Sequence, residues 1–239
     1  MTAEEVYKAV LKELKQEYTT SITPEEFNHH IWVAEIEYVK TRYWAYEQHQ
    51  KTIDDLRAIK VMTDGIGGMP NPIVASGSAS LNSQFIALPA DYMHLTAVSA
   101  IVEYRNEPCK KNGTLSDPIA CAFLPDDKEK LVLGDYYSKP KPAFPRLYYS
   151  QRGNVLAFKA GASVVKTVFL NYLRYPKRIA LDINTGASLQ DSEFLDEQTM
   201  EIVKWCVHSY LEKIEEMRLQ TMQLIQNKNF EQFPQVNQL

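Results

Sequence analysis

Residues 25–50 contain neither glycine nor proline, and residues 196–226 form a second such run. Stretches of that length without the two residues that break helices place a long helix near each end of the chain. Their starts are written in local chemistry. Thr23, Pro24 and Glu26 make a capping box with proline at the first helical position. Thr2 and Glu5 make another, opening a first helix on which Val6, Val10, Leu11, Leu14 and Tyr18 recur at helical spacing. Ser192 or Asp196 can cap the last helix, whose stripe runs through Met200, Val203, Val207, Tyr210, Leu211 and Ile214.

The helix over residues 25–50 carries two apolar stripes. One is Phe27, Ile31, Tyr38 and Val39; the other, offset from it, is Trp32, Ile36, Tyr43 and Tyr46. A helix apolar on two faces has two things to pack on. One is its own domain. The other is either more of the same core or a neighbouring subunit, which makes Trp32, Ile36, Tyr43 and Tyr46 the candidate intersubunit face. The 14 tyrosines suit subunit contacts, being apolar in body and wet at the tip, although they suit the border of a core equally.

Between the helices the pattern changes. Residues 51–60 extend the helix or begin another. Residues 64–84 (DGIGGMPNPIVASGSASLNSQ) have no periodicity and read as a loop. A short apolar run at 84–88 precedes Pro89-Ala90-Asp91-Tyr92, read as a single helical turn. Residues 95–105 alternate and are rich in β-branched residues, as a strand requires. Asn112-Gly113 signals a hairpin, and residues 138–146, with three prolines, read as extended and exposed. Residues 146–150 and 154–159 flank Gly153 as a second hairpin, and 164–175 reads as the longest strand, ended by Pro176. The expected fold is α+β: a helical bundle of the N-terminal helices plus the long C-terminal helix (1–60 and 190–226), with an inserted antiparallel β region bearing long loops (61–189). Residues 227–239 form a Gln- and Asn-rich tail. Its spaced apolar residues Phe230, Phe233, Val236 and Leu239 are either unstructured or anchors that order on a partner.

Chemistry-bearing patterns are sparse. No H-E-x-x-H, C-x-x-C or G-x-S-x-G occurs, and His29 and His30 are adjacent on a helix, pointing about 100° apart. Gly65-Ile66-Gly67-Gly68 lacks the Lys-Ser or Lys-Thr of a phosphate loop. Cys109, Cys121 and Cys206 have no tight spacing and read as reduced thiols, with a Cys109–Cys121 bridge as the alternative. Acidic pairs such as Glu25-Glu26 suit solvated surface and helix starts. A formal net charge of −4 argues against a protein that grips nucleic acid, but suits a surface that DNA slides past. Lys139, Lys141 and Arg146 near Tyr148 and Tyr149 are the one basic-aromatic stretch, read as a solvated loop or a contact to DNA or an acidic partner. No run reaches the 18 apolar residues of a membrane span, and the acidic start does not resemble a signal peptide. The expectation is a protein with no cofactor, no metal and no catalysis.

Three segments carry a resemblance. Residues 85–105 (FIALPADYMHLTAVSAIVEYR) resemble a phage neck-protein pattern in which a strand gives way to a Leu-Pro-x-Asp-Tyr turn and a hydrophobic strand. Residues 146–179, a Tyr-Tyr hairpin followed by VVKTVFLNYLRYPKRI, resemble phage connector and tail-tube proteins, and residues 192–214 resemble the helix that follows in that group. In plan the chain is similar to the ring proteins below the portal in crAss-like phages of gut Bacteroidales and, more distantly, to the tail tubular adaptors of short-tailed phages. The resemblance implies a virion protein assembled in the host bacterial cytoplasm. It also implies a homo-oligomeric ring of about twelve copies, docked to the portal and to adjacent neck or tail rings, with double-stranded DNA passing through its channel without specific binding. It makes the tail with Phe230, Phe233, Val236 and Leu239 the candidate portal-docking segment. The alternatives are a tail or neck ring protein not touching the portal, a non-catalytic host- or cargo-binding module, or, from a third class, a hydrolase using carboxylates from the loops.

Overall fold

Both capping boxes form. Thr2 Oγ1 accepts from the Glu5 N–H at 3.3 Å, and Glu5 Oε2 accepts from the Thr2 N–H at 2.8 Å, opening α1 (Ala3–Glu17). Thr23 and Glu26 make the same exchange ahead of α2 (Pro24–Trp44). The computed structural model describes residues 1–17, 21–44, 54–65, 70–78, 83–105, 113–140, 146–161 and 163–232, with residues 77, 78, 83 and 216–232 described as backbone only. The chain divides into two units, one of Met1–Ala58 and Pro176–Leu239, the other of Ile59–Tyr175.

In the second unit, nine strands among the described residues bond into one curled sheet. They are β1 (Lys60–Met62), β2 (Ile73–Val74), β3 (Ser76–Ser78), β4 (Ser83–Ala87), β5 (Tyr92–Glu103), β6 (Ile119–Phe123), β7 (Leu147–Arg152), β8 (Val155–Lys159) and β9 (Val164–Arg174). Their order is β1-β9-β5-β6-β7-β8-β4-β3, with β2 also on β9. All pair antiparallel except β6 and β7. A parallel pair needs a crossover, and α3 (Glu129–Gly134) lies in it. The turn at Gly153 joins β7 to β8 with Arg152 opposite Val155, and the glycine sits at φ +60°, where a Cβ would be strained.

The spine of this sheet is β9. One edge pairs with β5 from Tyr92↔Arg174 to Glu103↔Val164. The other edge is covered piecemeal. β1 takes Asn171 to Leu173. Thr63 then donates its N–H to the Leu170 carbonyl at 2.9 Å and accepts the Leu170 N–H on its hydroxyl at 2.7 Å. β2 takes Thr167 and Val168. Val165 is met by a side chain: Gln84 Oε1 accepts its N–H at 2.7 Å and Gln84 Nε2 donates to its carbonyl at 3.0 Å. Val98, Ala100 and Val102 of β5 alternate into the core, where they pack with Val165, Val168, Leu170 and Tyr172 of β9 and with Ile86, Leu147, Leu156 and Phe158.

In the first unit, β10 (Ala180–Leu181) and β11 (Ser188–Gln190) form an antiparallel hairpin packed on α1 and α2. α4 (Asp196–Gln232) follows. Neither Ser192 nor Asp196 is its N-cap. Leu195 holds that place, with Gln198 Oε1 accepting the Leu195 N–H at 3.2 Å, which is the N3 half of a capping box without its hydroxyl partner. α4 packs along α2, burying Ile202, Val203, Cys206, Val207 and Tyr210. Arg42 ties the far end of α2 to Glu201 at 2.6 Å and to Asp55 at 3.5 Å.

The expectation of a helical bundle with an inserted β region is overturned. The chain is a mixed α/β fold dominated by a large curled sheet with a core built mostly on strands, and its helices themselves pack on a two-stranded sheet. Within residues 64–84, read as a loop, lie β2, β3 and the start of β4. β3 is Ser-Gly-Ser and β2 is two residues long, so neither carries hydrophobic alternation, and a partner strand alone reveals them. Pro89-Ala90-Asp91-Tyr92 is a turn leading directly into β5, closed by the Tyr92 N–H on the Pro89 carbonyl, rather than a helical turn. At 12 residues β5, not β9 with 11, is the longest strand. The Asn112-Gly113 signal lies half outside the described residues; Gly113 itself, at φ +84°, donates to the Tyr104 carbonyl.

Gln84 is 5% exposed and satisfies two buried groups at once. Gln84→Ala is therefore expected to lower the unfolding free energy by about 3 kcal/mol, since each orphaned buried group costs about 1–3 kcal/mol. Urea denaturation followed by circular dichroism checks it. A midpoint equal to wild type would show that water replaces the amide without loss.

Candidate functional site

Three residues of α2, Asn28, Trp32 and Glu35, point to one side of the helix at i, i+4 and i+7. Each meets the segment that enters β10. The Asn28 side chain behaves as a strand partner for Leu181: its Oδ1 accepts the Leu181 N–H and its Nδ2 donates to the Leu181 carbonyl, both at 2.9 Å. Arg178 donates to the Asn28 carbonyl at 3.0 Å and lays its guanidinium over the Trp32 ring, 6.0 Å from the centroid. Glu35 Oε2 accepts the Ile179 N–H at 3.3 Å.

The loop of the hairpin is held just as closely. Asp182 Oδ1 accepts from Asn184 N–H, Oδ2 accepts from the Thr185 hydroxyl at 2.6 Å, and Gly186 at φ +68° donates to the Asp182 carbonyl. The Thr185 hydroxyl, then the Asn184 N–H, hold the Asp182 carboxyl below its usual range. This constrained loop leaves Ile183 59% exposed, and Leu189, on β11, is 68% exposed. Between the hairpin and the start of α2 lies an open groove of about 420 Å³, lined by Glu25, Asn28, Arg178, Leu181, Ile183 and Leu189 among others. That volume falls in the range of ligand sites. Its chemistry is aliphatic with a few polar groups, and both Asp182 and Arg178 are already engaged by the fold. The arrangement suits recognition of an apolar segment.

Several other reactive groups are buried or partly buried. Glu35 is fully buried with Oε1 unpartnered. Burial first, and then the negative Glu193, push its carboxyl up to about 8, against the Ile179 N–H and Arg178. The Cys121 and Cys206 thiols are free and pushed up to about 12 by burial, so neither is a thiolate at neutral pH; Cys109 lies outside the described residues. Burial lowers His30, whose Nδ1 lies 3.1 Å from the Ser209 hydroxyl. Among the described residues no three His, Cys, Asp or Glu side chains converge as metal ligands, and no helix is long and apolar enough to cross a membrane.

Of the candidate intersubunit residues, Trp32 and Ile36 are half-buried on α2, with Trp32 joined to the groove side through Arg178. Tyr43 is half-buried further along the helix, and Tyr46 lies outside the described residues. Phe230 falls in the last turn of α4 with its side chain outside what is described, and Phe233, Val236 and Leu239 lie outside the described residues altogether. Lys139 reaches over the Tyr136 ring at 5.5 Å, and Tyr148 donates to the Ser138 carbonyl; Lys141 lies outside the described residues. Sequence reasoning missed Arg178, Ile183 and Leu189. The Asp-x-Asn-Thr-Gly turn between them was a readable hairpin signal. No protein-family model matches the chain, and no curated protein matches it.

The raised Glu35 carboxyl has a consequence for stability. Between pH 4.5, its ordinary value, and about 8, the folded chain keeps a proton that the unfolded chain releases. Stability therefore falls as pH rises through that window and levels off above it. Glu35→Gln is expected to remove this slope and to gain on wild type progressively from pH 5 to 8. Thermal melts across pH 4–9 measure it, and parallel curves for the two proteins would refute it.

Proposed function

We propose that this chain is a structural virion protein, a ring-forming head-to-tail connector subunit that docks below the portal and surrounds the DNA channel. The observation that carries the reading is the outward apolar surface of the first unit, with Ile183 and Leu189 exposed beside the groove and half-buried Trp32 under the Arg178 guanidinium that lines it. The core beneath is already closed by Phe27, Ile31, Tyr38 and Val39, so this face is available to another chain. The second unit exposes apolar side chains of its own, including Phe123, Leu131, Tyr136 and Tyr137. Two unlike apolar surfaces on one subunit suit a heterologous contact, the kind that closes into a ring when the rotation permits.

The resemblance adds support at one more place. The Leu-Pro-x-Asp-Tyr turn is locked to the end of β9, where the Tyr172 hydroxyl donates to Asp91 Oδ1 at 3.1 Å and the Tyr175 N–H to the Asp91 carbonyl at 2.8 Å. A turn fixed this way presents a rigid corner. A net charge of −4 is compatible with a lumen that lets DNA move.

Native mass spectrometry of the purified chain, alone and mixed with a portal protein, tests the reading. A closed ring, or a portal-dependent assembly of about twelve copies, is the expected result. A monomer in both samples would refute it and turn attention to a binding module.

A further inference from the structure

We infer that the groove between α2 and the β10–β11 hairpin receives residues 233–239 of another copy of this chain. The inference deepens the ring reading and rests on it. Three observations lead there. The groove is open, aliphatic and rimmed by Ile183 and Leu189, both largely exposed. The apolar part of that lining, Ala180, Leu181, Ile183 and Leu189, suits an occupant with spaced apolar side chains. In the segment FPQVNQL, Phe233, Val236 and Leu239 recur every third residue, and no residue is a charged type. Pro234 disfavours helix at the residue before it, and in an extended chain with three residues per turn those three side chains share one face.

Geometry excludes the chain's own groove. α2 and α4 run antiparallel, with Arg42 on Glu201 near one end and His30 beside Ser209 near the other. By Tyr210, whose hydroxyl donates to the Ser21 carbonyl at 3.1 Å, α4 has drawn level with the start of α2, where the groove lies. The helix continues from there to Gln232, which at 1.5 Å per residue adds about 33 Å. Phe233 follows the last helical residue directly. Gln232, the last helical residue, ends about 30 Å past its own groove, more than the roughly 24 Å that seven extended residues span. A helix that carries the chain away from its own subunit's groove leaves that groove to the same segment of another copy.

The test uses the full chain with Phe233→benzoylphenylalanine, a photo-crosslinking residue, prepared in light and ¹⁵N-labelled forms and mixed before irradiation. Peptide mapping reads where position 233 attaches and whether the two halves carry different labels. Mixed-label crosslinks to residues 25–32 or 178–189 are expected. Leu189→Asp in the same chain is expected to cut their yield about tenfold, as loss of an interface anchor does, with helical content by circular dichroism unchanged. Crosslinks only elsewhere, only within one label, or undiminished by Leu189→Asp would overturn the groove assignment, as would crosslinks found solely on an added portal protein. Native mass of the same samples separates the two failures: rings with crosslinks elsewhere leave the ring reading standing, and monomers without mixed-label crosslinks remove both.

Discussion

Backbone N–H and carbonyl groups removed from water must find partners, and this chain meets that demand twice with a side-chain amide in place of a strand. Gln84 closes the ladder at Val165, where β9 has run past its edge neighbours. Asn28 does the same for Leu181, so that a helix stands where a third strand of the hairpin would be. The β9 spine and the β10–β11 hairpin, one in each unit, depend on these substitutions.

The consequences differ in the two units. In the second, β9 gathers partners from residues 60–63, 73–75, 84 and 92–103, so its edge is assembled from segments far apart in sequence. Such non-local pairing is slow to form, and the long β5–β9 ladder holds the core side chains in register once formed. In the first unit, α2 works on two sides. Its buried side packs on α4; Asn28, Trp32 and Glu35 grip residues 178–181 and thereby shape the groove. Ile183 is exposed on a loop that Asp182 and Gly186 hold in place, and Leu189 is exposed on the strand that follows it.

Where the signal is local, the sequence was legible. The boxes at Thr2/Glu5 and Thr23/Glu26 mark two helix starts, and the β-branched run of β9 and the Gly153 turn mark strands and a hairpin. What was not legible is pairing. β2 and β3 have no periodicity of their own, β6 and β7 align in parallel across a connection whose prolines and lysines say nothing of strand direction, and nothing adjacent to Gln84 announces Val165 as its partner. Helical stripes and caps are conspicuous in a sequence and short strands are not, which is why a sheet-dominated fold reads as a helical bundle. At the candidate surface, Trp32 and Ile36 were visible as an offset stripe on α2. Arg178, Ile183 and Leu189 come to that side of the helix through tertiary contacts, among them the Asn28 and Glu35 hydrogen bonds, which spacing cannot express.

The account turns on one claim, that the outward face of the first unit is a surface for another chain. Hydrogen–deuterium exchange of the full-length protein, compared between dilute and concentrated samples, reads that face directly. The account predicts that amides at 182–190, the hairpin loop and β11, slow on concentration while the β5–β9 ladder, already protected, stays constant. Unchanged exchange at 182–190 in samples that do associate would place the contact elsewhere and contradict it.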